Sequence, residues 1–260
     1  MLVQRAGSLA ERKSAGYLRL AVDRSFTVKG AGSVVTGAIR SGGVKLSDDI
    51  RNPERNHSFK VRGLHRLNTV ADSALAGDRC ALNLTGPNAD LSTLHRGTWL
   101  TTNPVLSARN HCDMVLQLES GEKKPIKHWT AVHVYHAAQH TVGHVALLQH
   151  PAIDPGQNGL VQLVTQDPLT LCLGDRVIIR DQGATRTLGY GVVLDPLAIS
   201  KGRAKPERIA FLEGLRDAQS NNEAAKVLIS QKAGGVPTAL LTRMLNWRPE
   251  QITAFSAEDA

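Results

Sequence analysis

Short apolar runs separated by glycine-rich turns fill residues 14–196 of this chain. Several runs alternate apolar with polar side chains, as strands with one buried face do. Turn signals recur at roughly the spacing that small barrels show. Because no strand–helix alternation is present, a doubly wound α/β sheet is not expected. The sequence predicts a mainly β chain.

This strand-and-turn texture occurs twice and then gives way to helical patterns. The first stretch ends near Pro104, and a second stretch from Leu106 to Pro196 repeats it. The sequence therefore predicts two consecutive small β-barrels, at residues 17–105 and 106–197, followed by a short α-helical segment at 198–260.

Three short helices are predicted after a basic linker at residues 200–206. Pro206 suits the first position of a helix. Ser220 and Glu223 have the spacing of a capping box, and Pro237 opens a third apolar stripe. Three short helices resemble the front of a helix-turn-helix or winged-helix unit. Because no β-wing follows, the segment is predicted to be an incomplete winged helix.

The composition excludes several classes of protein. Hydrophobic residues make up 42% of the 260 residues, which is enough for a packed core. No apolar run approaches the roughly 18 residues that a membrane helix needs, and the N-terminus lacks a signal-peptide pattern. The three cysteines lie far apart, which argues against a disulfide framework or a CxxC metal site. We therefore expect a cytoplasmic protein with no membrane contact.

The net charge of +8 lies mainly in the first half of the chain. Residues 17–106 hold 12 basic and 7 acidic side chains, whereas residues 107–199 hold 7 and 8. A basic surface attracts polyanions, RNA or DNA above all. A surplus of charge that serves solubility explains the same excess equally well.

No nucleotide-binding loop is visible in the sequence. The glycine pair Gly30 and Gly32 lies in a strand–strand turn, where no helix begins to bind a phosphate. The pattern GxxxxGK[ST] does not occur. The sequence therefore predicts that this chain does not bind a nucleoside triphosphate by itself and holds no cofactor.

The histidines are the second candidate for chemistry, since seven of the ten fall between residues 107 and 199. His133, His136, His140 and His144 have a spacing that would suit zinc on a helix. The residues around them favour strands instead, on which His133 and His136 point to opposite faces. We predict no metal site. His133, His136 and His140, together with Lys29, are candidates for contact with RNA.

A family resemblance is carried by the stretch from Leu18 to Gly37. Its G-x-G-[ST]-V-V-T-G core is shared with elongation factor Tu, and the longer form LAVDRSFTVKGAG resembles the bacterial selenocysteine-specific elongation factors. Further motifs continue the similarity at Val61–His65, Ala76–Leu84, Arg96–Leu100 and His133–Leu148. Lys205–Glu207 resembles the junction into that family's C-terminal winged-helix arm.

The resemblance implies a fragment of a translation factor that delivers selenocysteyl-tRNA to the ribosome at UGA codons. The family's GTP-binding domain, with GTP and Mg, would be absent, with residues 1–16 as its remnant or linker, so no enzyme is expected. Most of the winged-helix arm, which binds the hairpin in selenoprotein mRNA, would be absent too. The chain is expected to be a monomer.

The resemblance also implies an aminoacyl-binding site on the first barrel, at Asp23, Arg24 and Arg79. An arginine-rich pocket can distinguish selenocysteine from serine because a selenol is ionised at neutral pH and a hydroxyl is not. From the sequence alone, local ion pairing at strand ends explains Asp23–Arg24 and Asp78–Arg79 as well.

Three alternatives stay open at this point. The barrels could come from another translational GTPase with a different cargo. The chain could be a stand-alone RNA-binding module. A metal-dependent enzyme built on the histidine cluster would require stoichiometric zinc.

Overall fold

The computed structural model describes residues 15–231 and 234–258. Residues 1–14 of the predicted remnant at 1–16 lie outside the described residues. The chain divides into two compact units, residues 1–104 and 105–260. None of the described helices is long and apolar enough to cross a membrane.

The first unit is a closed β-barrel. Its strands are β1 (Arg19–Val28), β2 (Gly32–Ser41), β3 (Gly43–Lys45), β4 (Asp49–Asn52), β5 (His57–Arg66), β6 (Thr69–Val70), β7 (Ser73–Leu75), β8 (Arg79–Thr85) and β9 (Trp99–Thr101). Six of them close the ring in the order β1–β2–β8–β5–β4–β9, with every neighbouring pair antiparallel.

Alternation of side chains explains how this barrel is filled. Along β2, Ser33, Val35, Gly37 and Ile39 are buried, while the residues between them are partly exposed. Because successive side chains of a strand point to opposite faces, each strand gives one face to the core and one to the surface. The buried face also comes from large side chains of the other strands, among them Leu20, Phe59, Leu64, Leu82 and Leu100.

The second unit is a closed six-stranded barrel with helices packed on its outside. Its strands are β10 (Arg109–Leu118), β11 (Ile126–Lys127), β12 (Thr130–His136), β13 (Gln139–Leu147), β14 (Ala152–Ile153), β15 (Asn158–Leu169), β16 (Arg176–Asp181) and β17 (Thr187–Asp195). The ring runs β10–β15–β13–β12–β16–β17, and β17 returns to β10. The mainly β prediction with two barrels is confirmed.

Four helices follow the second barrel: α1 (Pro206–Asp217), α2 (Asn221–Ser230), α3 (Thr238–Leu245) and α4 (Pro249–Glu258). The predicted cap of α2 is confirmed, because Ser220 Oγ accepts a hydrogen bond of 3.2 Å from the Glu223 amide. Helix α4 was not predicted. It begins at Pro249, and its Phe255 ring packs on Trp247 with centroids 5.5 Å apart. The helices share one core with Leu148, Leu160 and Leu194 of the barrel.

Candidate functional site

A small polar cluster forms on the first barrel where three neighbouring strands lie side by side. Arg79 donates two hydrogen bonds to the Asp23 carboxylate, from Nε at 3.1 Å and from Nη2 at 2.8 Å. Thr36 completes the cluster, since its hydroxyl donates to Asp23 Oδ1 at 2.7 Å and accepts from Arg79 Nη2 at 3.2 Å. The guanidinium is thus held by a bidentate contact with Asp23, while 54% of the Arg79 side chain stays exposed.

The sheet order explains how residues 56 positions apart meet. The simplest way to bring Asp23 and Arg79 together would be direct pairing of β1 with β8. These strands do not pair, because β2 lies between them. Arg79 reaches across β2 at Thr36 to Asp23. A bulge in β1 between Val22 and Arg24 leaves Asp23 as the extra residue. Bulges re-aim side chains in this way and are frequent beside functional sites.

The protonation of Asp23 is controlled by this arrangement. Partial burial on its own raises the pKa of Asp23. The hydrogen bonds from Arg79 and Thr36, together with the charges of Arg79 and Arg24, outweigh burial and lower that pKa below its ordinary value. The carboxylate therefore stays ionised and holds Arg79 in place. Both predicted arginines act on this one carboxylate, Arg79 by direct contact and Arg24 by its charge.

A cavity of about 210 Å³ lies directly beside Arg79. It is lined by Thr36, His65, Leu67, Asn68, Arg79, Cys80 and Ala81. Leu67 and Asn68 form the turn between β5 and β6, and both have positive φ angles, 51° and 64°. Burial raises the pKa of Cys80 to about 12, so its thiol is neutral at physiological pH.

The chemistry available at this cavity is recognition of a small anion. The Asp23 and Thr36 contacts use Nε and Nη2 of Arg79, and Nη1 takes no part in them. A guanidinium that is always protonated and held rigidly loses little entropy when it donates to an anion. Asp23 is thus the orienting residue, and Arg79 is the residue that can contact a ligand.

The sequence motifs contained two residues of this site without revealing their part in it. Thr36 lies in the glycine motif that carries the family resemblance, and His65 ends the Val61–His65 motif. Nothing in the sequence distinguishes either from an ordinary outward-facing strand residue. Their contribution depends on β2 and β5 both flanking β8, which only the sheet order shows.

The histidines of the second barrel are divided between its two faces. His133 and His140 lie together on the outside, with their rings stacked at 5.0 Å and Nδ1 of His133 2.8 Å from Nε2 of His140. Burial and the neighbouring His133 lower the pKa of His140, although Asp167 opposes the shift. No group of three potential metal ligands occurs among residues 15–231 and 234–258.

His136 does not fit the RNA-binding prediction. Its side chain is 2% exposed and lies inside the barrel, with Nε2 3.4 Å from an Asp175 carboxylate oxygen. The strand alternation had correctly placed it opposite His133, but which of the two faces is interior depends on the closure of the barrel. A side chain buried in this way cannot contact RNA. Lys29, by contrast, is exposed at the tip of the β1–β2 hairpin.

Comparison with known proteins agrees with the resemblance found in the sequence. Residues 113–199 match the family described as "Selenocysteine-specific elongation factor, beta-barrel domain". The matched range coincides with most of the second barrel.

Relatives in two bacteria match the chain over most of its length. The selenocysteine-specific elongation factor of Escherichia coli strain K12 is 36% identical over 240 residues, which cover 92% of this chain and 37% of the relative. The factor of Haemophilus influenzae is 33% identical over 245 residues, with 93% and 37% covered. This chain thus spans little more than a third of the length of these relatives.

A solved structure shares the fold. The crystal structure of a bacterial selenocysteine-specific elongation factor, EF-Sec, superposes with a TM-score of 0.73 at 22% identity. The superposition covers 96% of this chain and 40% of that structure. By sequence and by fold, this chain is similar to the β-barrel part of the selenocysteine-specific elongation factors.

Proposed function

We propose that the first barrel binds the aminoacyl end of selenocysteyl-tRNA, in a factor that brings this tRNA to the ribosome for incorporation at UGA codons. The observation that carries the proposal is the exposed Arg79 guanidinium, gripped by Asp23 at the edge of a cavity of about 210 Å³. The factors to which the chain is similar are named for selenocysteine.

The discrimination would rest on charge. A selenol is ionised at neutral pH, so it presents an anion that Arg79 can contact and Arg24 can attract. The hydroxyl of serine is neutral and gains much less from a guanidinium, since hydrogen bonds between charged partners are roughly twice as strong as neutral ones. Asp23 offsets one positive charge, which leaves a net charge of +1 for the three residues.

The remaining partners are proposed from the similarity to that family. We propose that the ribosome, the selenoprotein mRNA hairpin, GTP and Mg are engaged by the longer proteins through parts outside the region that this chain matches. The barrels of this chain supply RNA contacts, for which Lys29, His133 and His140 are candidates. The cytoplasm, where tRNA and ribosomes meet, is the compartment that we propose.

The first test is binding of this chain to tRNA. We expect weak binding that falls steeply as salt is raised, because residues 17–106 carry 12 basic against 7 acidic side chains and phosphate contacts release counterions. Filter binding or fluorescence anisotropy across a salt series measures this. The chain alone should bind selenocysteyl- and seryl-tRNA about equally, because the resemblance implies an aminoacyl pocket that the first barrel shares with the GTP-binding domain. Salt-independent binding, or no binding at low salt, would contradict the proposal.

A second test concerns GTP. We expect no measurable binding of guanine nucleotide to this chain, because the sequence has no GxxxxGK[ST] loop and Gly30–Gly32 leads into a strand rather than a helix. Titration with a fluorescent GTP analogue, with unlabelled GTP as competitor, measures this. Competable binding in the micromolar range would show that the chain has a nucleotide site of another kind.

A further inference from the structure

The second barrel carries an exposed tryptophan in an unusual position. Trp129 belongs to the two-residue connection between β11 and β12, and the residue is 47% exposed. Its φ angle is 67°, in the left-handed region that bulky side chains rarely occupy. The amide of Trp129 donates to the Val145 carbonyl at 2.8 Å, which ties the turn to β13. The fold thus holds a large ring at the surface at some conformational cost.

Aromatic rings and a guanidinium surround this tryptophan. The His144 ring stacks on Trp129 with centroids 4.9 Å apart and planes 11° apart, and His128 lies 6.1 Å away on the same turn. The Arg203 guanidinium lies 6.0 Å from the ring centroid. Arg203 is itself fixed, because its Nη1 donates to the buried Gln162 side chain at 3.3 Å.

The surroundings of the stack are basic. Lys123, Lys124 and Lys127 precede Trp129 within six residues, and all three are exposed. Within the part of the chain that the structure describes, none of the three forms an ion pair. The nearest acidic side chain in sequence, Glu122, is already paired with Arg186 at 3.2 Å. The lysines therefore keep their charge available to a polyanion.

A groove continues from the stack across the outside of the barrel. Its volume is about 510 Å³, within the range of ligand sites. His144 lines it and also stacks on Trp129, so the groove and the aromatic rings are continuous. The other side carries His133 and Gln182, whose ring nitrogen and carbonyl oxygen are 3.0 Å apart.

We propose that the Trp129 patch, defined as Lys127, His128, Trp129, His144 and Arg203, is a stacking site for an unpaired RNA base. Proteins bind single strands by combining positive charge for the backbone with aromatic rings for the bases. The patch has both on one surface, and the groove beside it has room for a nucleotide. This inference extends the proposed function. It rests on that function in one respect, which is that RNA is the partner in both.

The three tryptophans of the chain allow a direct measurement. Trp99 and Trp247 are buried, so stacking of a base on the surface would quench the fluorescence of Trp129 selectively. We would titrate the full chain with a short single-stranded oligoribonucleotide and with the same sequence as a duplex. We expect quenching with the single strand and much less with the duplex. Trp129→Phe should keep most of the affinity and abolish the quenching.

Substitution supplies the second readout. Trp129→Ala should weaken single-strand binding by about 5- to 150-fold, the range found when stacking aromatics are replaced by alanine. Lys127→Gln should reduce the salt dependence with a smaller loss of affinity. The matched control is Tyr190→Ala, which removes an aromatic ring of the same 47% exposure from β17 of the same barrel. We expect no change in that variant, and thermal melting checks that each variant is folded.

Three results would overturn the inference. The first is that the single strand binds without quenching the fluorescence of Trp129. The second is that Tyr190→Ala loses as much affinity as Trp129→Ala. The third is that a folded Trp129→Ala variant keeps its affinity. The last result would leave the patch as a protein-binding surface, since tryptophan and arginine are also enriched at such interfaces. None of these results touches the aminoacyl site, whose test reads discrimination between two charged tRNAs.

Discussion

Replacing Arg208 with alanine is expected to lower the free energy of unfolding of the second unit by about 3–5 kcal/mol, the cost of removing one partner from a buried ion pair. Arg208 lies in α1, and its guanidinium donates hydrogen bonds to two carboxylates of the barrel. These belong to Asp113 on β10 and Asp195 at the end of β17. The Asp113 side chain is 0% exposed. Without Arg208, the two carboxylates would lie close together in the interior without the guanidinium that bonds both of them.

Urea denaturation of Arg208→Ala and of a control variant measures the free energy of unfolding. The matched control is Arg216→Ala, because Arg216 belongs to the same helix but forms an exposed pair with its neighbour Asp217. Surface pairs of this kind contribute little, so we expect almost no change there. If both variants lost the same amount, the effect would come from the helix and not from the buried pair.

The pH dependence of the Arg208→Ala variant provides an independent check. Burial raises the pKa of Asp113 above its ordinary value even in the presence of Arg208. A carboxyl whose pKa is higher in the folded than in the unfolded state takes up protons on folding, so its stability contribution falls as the pH rises through that pKa. Removing the Arg208 guanidinium raises the pKa of Asp113 further and so makes this dependence on pH stronger. We therefore expect the deficit of the variant to be largest at neutral pH and to shrink as the pH is lowered.

The fold was predictable from the sequence because its signals are local. The β1–β2 hairpin is an example, since Gly30 lies in the predicted turn and Gly32 begins β2, with φ angles of 82° and 86°. The bulge at Asp23 was not predictable in this way. It arises from the register between β1 and β2, which is set by the pairing of the two strands and not by either segment alone.

The sites were predictable only in part, because they depend on contacts between distant strands. Asp23 and Arg79 were named on a family resemblance, and their contact is set by the order β1–β2–β8. His136 was misjudged because strand alternation separates two faces without telling which of them is inside. Trp129 went unnoticed because its neighbours His144 and Arg203 are distant in sequence, and a lone tryptophan beside lysines fits a core position equally well.

Arg79 gives the sharpest test of the proposed function. In a fusion that places the GTP-binding domain of a relative before this chain, we expect preference for selenocysteyl- over seryl-tRNA. Arg79→Ala should reduce that preference by about 10- to 150-fold, since a hydrogen bond to a charged group contributes about 1.5–3 kcal/mol. Affinity for tRNA in general should hardly change, because the lost contact is with the aminoacyl group and not with a phosphate.

Two further variants separate the role of charge from that of geometry. Arg79→Lys keeps the positive charge but not the two-pronged contact with Asp23, so we expect an intermediate preference. Arg55→Ala removes an exposed arginine from the β4–β5 turn, which lines no part of the cavity, and should leave the preference unchanged. If Arg79→Ala weakened both tRNAs equally, Arg79 would be a phosphate-binding residue. Its contact with Asp23 would then orient it towards the RNA backbone, and the selenolate would have to be recognised elsewhere.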